Sequence, residues 1–172
     1  MIKRWFIDTE FMEERGRMEL LSIAIVSEDG SEKLYAINRD ANISRANDWV
    51  IKNVIPRIHH EWFKHAIHLD EIKKKIMELI PPKPKDPGAE WHKPEFWGYY
   101  CDYDWVNFCW IFGKMIDLPN GYPMYCLDLK QVSKLHDDFQ FEKQDPNAEH
   151  HSMNDAEWNR QQYLKLVELN YL

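Results

Sequence analysis

Near the N-terminus, two carboxylates stand at alternate positions in an apolar run, Trp5-Phe6-Ile7-Asp8-Thr9-Glu10. The run reads as a strand, and alternate residues of a strand point to the same side of its sheet, so Asp8 and Glu10 share one face. A pair of this kind suits a hard divalent cation, which prefers oxygen ligands. Distant parts of the chain extend the pattern with Tyr103-Asp104 and with His150, which Asp155 follows five positions later. Asp104 and Asp155 add two more carboxylates, and a histidine can take a proton near neutral pH. The set holds four acids and one base.

Periodicity and turn residues organise the rest. Residues 19–27 are apolar and 33–37 alternate, with Glu28-Asp29-Gly30-Ser31 as the turn between them, so a three-strand meander is predicted to continue from the first strand. Helices are predicted over 45–54, ended by Pro56, and over 70–80, stopped by Pro81-Pro82. The proline-rich segment 81–94 reads as a flexible loop. A central strand over 95–100 leads to Asp104, followed by a helix over 105–112 closed by Gly113. A short strand over 124–127, a helix over 129–135, a polar loop over 137–149 and a helix over 154–169 complete the chain. Strands followed by alternating helices and strands indicate a mixed α/β sheet.

In this order the motifs resemble the DEDDh branch of the DEDD exonuclease superfamily, whose pattern is D-x-E, an Asp usually preceded by an aromatic, and H-x-x-x-x-D. More closely, Asp8-Thr9-Glu10-Phe11, Glu19-Leu20-Leu21-Ser22-Ile23 and Tyr99-Tyr100-Cys101-Asp102-Tyr103-Asp104 are similar to the small bacterial and phage exoribonucleases called RNase AS. The likeness runs from residue 5 to about residue 166. It implies an α/β, RNase H-like mixed β-sheet flanked by α-helices, and a metal-dependent 3'-5' exoribonuclease acting on single-stranded RNA 3' ends with two Mg²⁺ or Mn²⁺ ions. By the same resemblance Asp8 bridges the ions, Glu10 and Asp155 hold the one beside the attacking water, Asp104 serves the other, and His150 accepts the water's proton. An adenylate preference and a homodimer are also implied. A 3'-5' DNA exonuclease, or a binding module of this fold that has lost catalysis, are the alternative expectations.

His151 adjoins His150, but the family spacing of four intervening residues selects His150. Aromatics beside the motifs are candidates for base stacking, namely Phe11, for which pocket lining and core packing stay open, and Trp105, for which packing is the stronger expectation. The resemblance also implies that Thr9, Glu19 and Leu20 face the terminal nucleotide. The segment 59–65 mimics H-E-x-x-H, but Lys64 stands where the second ligand belongs. His65 lies about 140° around a helix from His60. Asp128 is expected to cap the helix after it rather than to join the acids, and Lys83 and Lys85 to be solvated.

Composition agrees with one packed domain spanning 1–172. The chain is 44% hydrophobic and 14% aromatic, enough to build a core. No apolar stretch approaches the roughly 20 residues of a membrane helix, and the N-terminus runs into the first strand without a signal-peptide core, so a soluble, cytoplasmic protein is expected. Cys101, Cys109 and Cys126 form no C-x-x-C pair and read as buried structural thiols. The net charge of −7 opposes long nonspecific duplex binding more than a pocket for one strand end, where bound cations reverse the local field.

Overall fold

The computed structural model describes residues 1–136 and 138–172, so Asp137, the first residue of the predicted polar loop, lies outside the described residues. One six-stranded sheet runs in the order β4-β3-β2-β1-β5-β6. Its strands are β1 (Ile2–Glu14), β2 (Arg17–Ser27), β3 (Lys33–Asn38), β4 (Ala66–Ile67), β5 (Lys93–Gly98) and β6 (Leu127–Asp128). The first three form the antiparallel meander, and β4, β5 and β6 add to it in parallel. Gly16, at φ 76°, supplies the left-handed backbone that lets β1 turn directly into β2.

Helices cover both faces. They are α1 (Asp48–Asn53), α2 (Ile55–His59), α3 (Trp62–His65), α4 (Leu69–Leu79), α5 (Asp102–Phe112), α6 (Leu129–Ser133) and α7 (Ser152–Glu168). Alternation along β1 divides the core. Trp5 and Ile7 join Ile23, Ile25, Ile72, Ile76, Phe96 and Phe108 in one cluster with α4 and α5, whereas Phe6 joins Trp97, Tyr163 and Leu166 with α7. Met12, Leu21 and Ile37 bury a third cluster against Val50, Val54 and Ile58 of the α1–α2 region. Because β2 is covered on both faces, its residues 20–27 are all buried.

The structure differs from the sequence expectations where tertiary contacts decide. β1 is longer than predicted, and β2 carries a bulge against it: Glu10 stands opposite Ser22 but Phe11 opposite Leu20, leaving Leu21 of β2 as the extra residue. The helix expected over 45–54 is shorter: α1 spans Asp48–Asn53 after a 3₁₀ turn (Ile43–Arg45), and α2 follows it directly. Pro56 opens α2 instead of ending a helix, since its missing N–H costs nothing in a first turn. The segment 81–94 is tied down: Lys83 N donates to Asn120 O at 2.7 Å, Trp91 Nε1 to Pro81 O at 3.0 Å, and Tyr122 Oη to Ile80 O. Asp128 caps α6 by accepting from Gln131 N at 3.0 Å, and its other oxygen accepts from Cys101 N at 2.8 Å. Cys101 and Cys109 are buried and Cys126 is half-buried. Among the described residues no helix is long and apolar enough to cross a membrane.

Two departures shape the site. β5 stops at Gly98, two residues early, and Tyr100 turns the chain at φ 54° into α5, which begins at Asp102 and so holds Asp104 in its first turn. β1 pairs with β5 only as far as Phe6 and then runs on alone on that side. The crevice this opens lies beyond the carboxyl end of a parallel strand, where open α/β sheets bind their ligands. Gly98 makes the sharp exit sterically possible, for a Cβ there would come 2.6 Å from the Cys101 Cβ and 3.3 Å from the Ile7 carbonyl. Gly98→Ala is therefore expected to lower stability by about 1–3 kcal/mol, read from the urea midpoint.

Candidate active site

Asp8 and Glu10 lie on the α7 side of β1, in alternation with Phe6, whose ring packs 5.1 Å from Tyr163. Ala156 of α7 is fully buried against Ala24 and Val26, which brings the first turn of the helix down onto the strand. Carboxylate oxygens of Asp8, Glu10 and Asp155 consequently lie within 4.8 Å of one another. Two buried polar contacts fix this approach. Ser152 Oγ and Ser22 Oγ are 3.0 Å apart, and Asn159 Nδ2 donates to the Ile7 carbonyl at 3.0 Å. Ser152 and Asn159 stand three before and four after Asp155, on the same helix face. Their partners are the strand residue opposite Glu10 and the residue preceding Asp8.

The fourth acid arrives from the other layer. Asp104 Oδ1 accepts from Thr9 N at 2.8 Å and from Thr9 Oγ1 at 2.6 Å, which docks α5 on the residue between Asp8 and Glu10. Asp155 Oδ2 accepts from the backbone N–H groups of His150 (3.0 Å) and His151 (3.2 Å), and its Oδ1 from Gln144 Nε2. His150 sits at φ 64°, a left-handed conformation that is uncommon outside glycine. Its ring meets Trp49 edge-on at 4.8 Å. His151 packs instead on Tyr35 at 4.8 Å and meets Glu61 Oε2 at 3.1 Å.

Burial raises the pKa of all four acids, and repulsion from neighbouring carboxylates adds to it for Asp8, Glu10 and Asp104. Asp8 is raised well above it by burial, then by Asp104, Asp155 and Glu10. Glu10 is raised well above it by burial and by Asp155 and Asp104, with Arg57 acting the other way. Burial lifts Asp104 to about 7 against the pull of the Thr9 hydrogen bonds. Asp155 is raised by burial while Gln144 and the two backbone N–H groups hold it down. Converging oxygens that resist ionisation together are a donor set for a hard divalent cation, and the residues present fit one.

A cavity of about 350 Å³ opens on the acids, lined by Asp8, Thr9, Glu10, Phe11, Trp49, Asp104, His150 and Asp155 among others. Of the residues expected to bind substrate, Thr9 and Phe11 line this cavity. Glu19 and Leu20 do not: they line a separate cavity of about 300 Å³ with Asn107 and Trp110. The Glu19 carboxylate is engaged by Arg17 at 3.2 Å and Asn42 N at 2.8 Å. Trp105 is buried in the core and stacks on Phe108 at 5.0 Å and 12°, because α5 begins early enough to turn it inward. Sequence reasoning missed Trp49, Gln144, Ser152 and Asn159. The spacing of Ser152 and Asn159 from Asp155 is a signal that could have found the last two; Trp49 and Gln144 carry no local signal.

The fold is RNase H-like and is shared with solved exonucleases of the DEDDh type. Among solved structures, the nuclease domain of 3'hExo, a DEDDh family member bound to rAMP, superposes with a TM-score of 0.60 at 11% identity, covering 96% of this chain and 92% of that one. The 3'-exonuclease solved in 3'-end specific recognition of histone mRNA stem-loop gives 0.62 at 12% identity, covering 96% and 81%. In sequence, the 3'-5' exoribonuclease Rv2179c of Mycobacterium tuberculosis is 31% identical over 129 residues, 75% of this chain and 73% of that protein. The model of the 3'-5' exoribonuclease Rv2179c-like domain matches residues 3–167, and the chain belongs to that family.

Two outcomes follow from this geometry. Asn159→Ala leaves the buried Ile7 carbonyl without its donor and is expected to cost about 1–3 kcal/mol in urea unfolding. A carboxylate raised in the folded state lends stability that is complete below its ordinary pKa of about 4 and is lost as pH rises through the folded value, about 7 for Asp104. Asp104→Asn keeps an acceptor for Thr9 and cannot ionise. In EDTA it should melt with the parent near pH 4 and above it near pH 8, by the equivalent of about 2–4 kcal/mol; an offset independent of pH contradicts this.

Proposed function

We propose that this chain, a 3'-5' exoribonuclease of that family, removes nucleotides from the 3' end of single-stranded RNA at the Asp8, Glu10 and Asp155 cluster. The observation that carries the reading is the convergence of those three carboxylates within 4.8 Å in a cavity that also contains Asp104 and His150. The same proposal takes 1–172 as one cytoplasmic nuclease domain, working as a homodimer with adenylate as the preferred terminal residue.

Asp8, Glu10 and Asp155 would hold one Mg²⁺ or Mn²⁺, and Asp8 with Asp104 a second. When bound, such a pair stabilises charge on the attacking and departing oxygens of a phosphodiester. The chain's own residues do the rest. Thr9 turns Asp104 by two hydrogen bonds, and Gln144 with the His150 and His151 N–H groups orients Asp155. Phe11 and Trp49 offer rings to the terminal base. Water attacks phosphorus, its proton passes to His150, and the 3'-oxygen of the next nucleotide leaves, freeing a nucleoside 5'-monophosphate. Among the described residues the His150 ring makes no hydrogen bond to the acids, so it is able to turn toward a bound strand end.

The test follows 5'-labelled RNA and DNA of matched sequence, including an adenylate tail, in Mg²⁺, Mn²⁺ or EDTA. A metal-dependent ladder shortening from the 3' end is expected, faster on RNA. Asp155→Ala should abolish it and His150→Ala should slow it about 10²- to 10⁴-fold. Mn²⁺ should raise the melting temperature of the parent and not of Asp8→Ala. Faster shortening of DNA would indicate a DNA exonuclease, and tight binding without cleavage a binding module.

A further inference from the structure

A second cleft, of about 410 Å³, opens from the same acids in a different direction. It shares Asp8, His150 and Asp155 with the first, but its other walls are Tyr99 just past β5, the 141–144 segment, and Trp158, three residues beyond Asp155 on α7. The rings of Tyr99, Phe141 and Trp158 lie 5.0–5.7 Å from one another and are half-buried, not sealed in the core. Trp158 Nε1 donates to the Glu142 carbonyl at 3.1 Å, which holds the indole and the loop together.

Two lysines stand at this cleft, in a chain whose net charge is −7. Lys143 lines the cleft, and Lys130 Nζ lies 5.8 Å from the Tyr100 ring and 5.9 Å from the Phe141 ring. Glu142 and Glu149 also line it, the former paired with Lys165 at 2.9 Å. Aromatic faces beside cations are the set that binds single-stranded nucleic acid without regard to sequence, since every base has a π-face.

A phosphodiester carries a nucleoside on each side. If the shared acids act on the scissile phosphate and the Phe11 and Trp49 cavity takes the residue to be released, the upstream residue needs a place on the other side of those acids. We propose that the Tyr99, Phe141 and Trp158 cleft is a stacking subsite for the penultimate nucleotide of the RNA strand. This rests on the exonuclease reading above. The cleft adds affinity for any base, while choice among terminal residues stays with the first cavity.

The test measures release of the terminal nucleotide from 3'-labelled pentaadenylate, and from the same strand with an abasic ribose at the penultimate position, by the full chain in Mn²⁺. Removal of the base should lower kcat/KM about tenfold for the parent. Phe141→Ala and Trp158→Ala should lower kcat/KM on pentaadenylate by a similar factor, largely through KM, and show no further loss on the abasic strand; Trp158→Phe should restore the parent's behaviour. This non-additivity is the mark of one shared contact, and a general loosening of the fold would not produce it. Equal rates on the two strands for the parent, or an abasic penalty that persists in both alanine variants, would overturn the subsite. If the parent releases nothing from either strand, the exonuclease reading falls, and the subsite with it.

Discussion

Like charges crowded in one crevice are the constraint on which the rest of this structure depends. Two unit charges 4.8 Å apart repel by about 3–4 kcal/mol at an effective dielectric constant near 20, and Asp8, Glu10 and Asp155 approach one another at that distance. Left alone they would separate or take up protons. They stay because each is anchored to an element that cannot move: Asp8 and Glu10 to a strand paired across the sheet, Asp155 to a helix clamped through Ser152 and Asn159, and Asp104 to Thr9. A cation relieves the same repulsion, so the energy that disfavours the metal-free site becomes affinity for metal.

The apolar core serves that constraint. Trp5 and Ile7 bury one face of β1 while Phe6 buries the other, so the strand is held on both sides immediately before the acids begin. Past Gly98 the sheet has no strand beside β1 on the β5 side, and the space is filled by the first turns of α5 and α7, each presenting one carboxylate. Rigid elements thus carry the acids, whereas His150 sits on a loop in a left-handed conformation with its ring against Trp49. That division fits the proposed roles, in which the acids hold still and His150 follows the substrate as the base.

Some of this was legible in the chain. Alternation in 5–10 identified the strand and the shared face of its acids, the hydrophobic runs located the meander, and Asp128 announced the cap of α6. The order of the three motifs pointed to the five residues that the structure brings to one cavity. Less legible were features set by contact. No periodicity reveals that the helix expected over 45–54 starts only at Asp48, that β5 stops at Gly98, or that a bulge in β2 displaces Leu21. Glu19 and Leu20, expected by likeness to face the terminal nucleotide, line a neighbouring cavity.

By itself, then, the sequence determined which side chains could do chemistry here and which face of the first strand would carry two of them, because side-chain type and the period of two are local properties. Tertiary structure alone decided that Asp155 meets Asp8 across 147 residues of chain, that Trp49 and Gln144 reach the same acids, and that Tyr99, Phe141 and Trp158 wall a second cleft. The reason is physical. These meetings follow from where α7 docks on the sheet and where β5 ends, and both are settled by long-range packing and by buried donors such as Asn159, which leave no trace in the pattern of neighbouring residues.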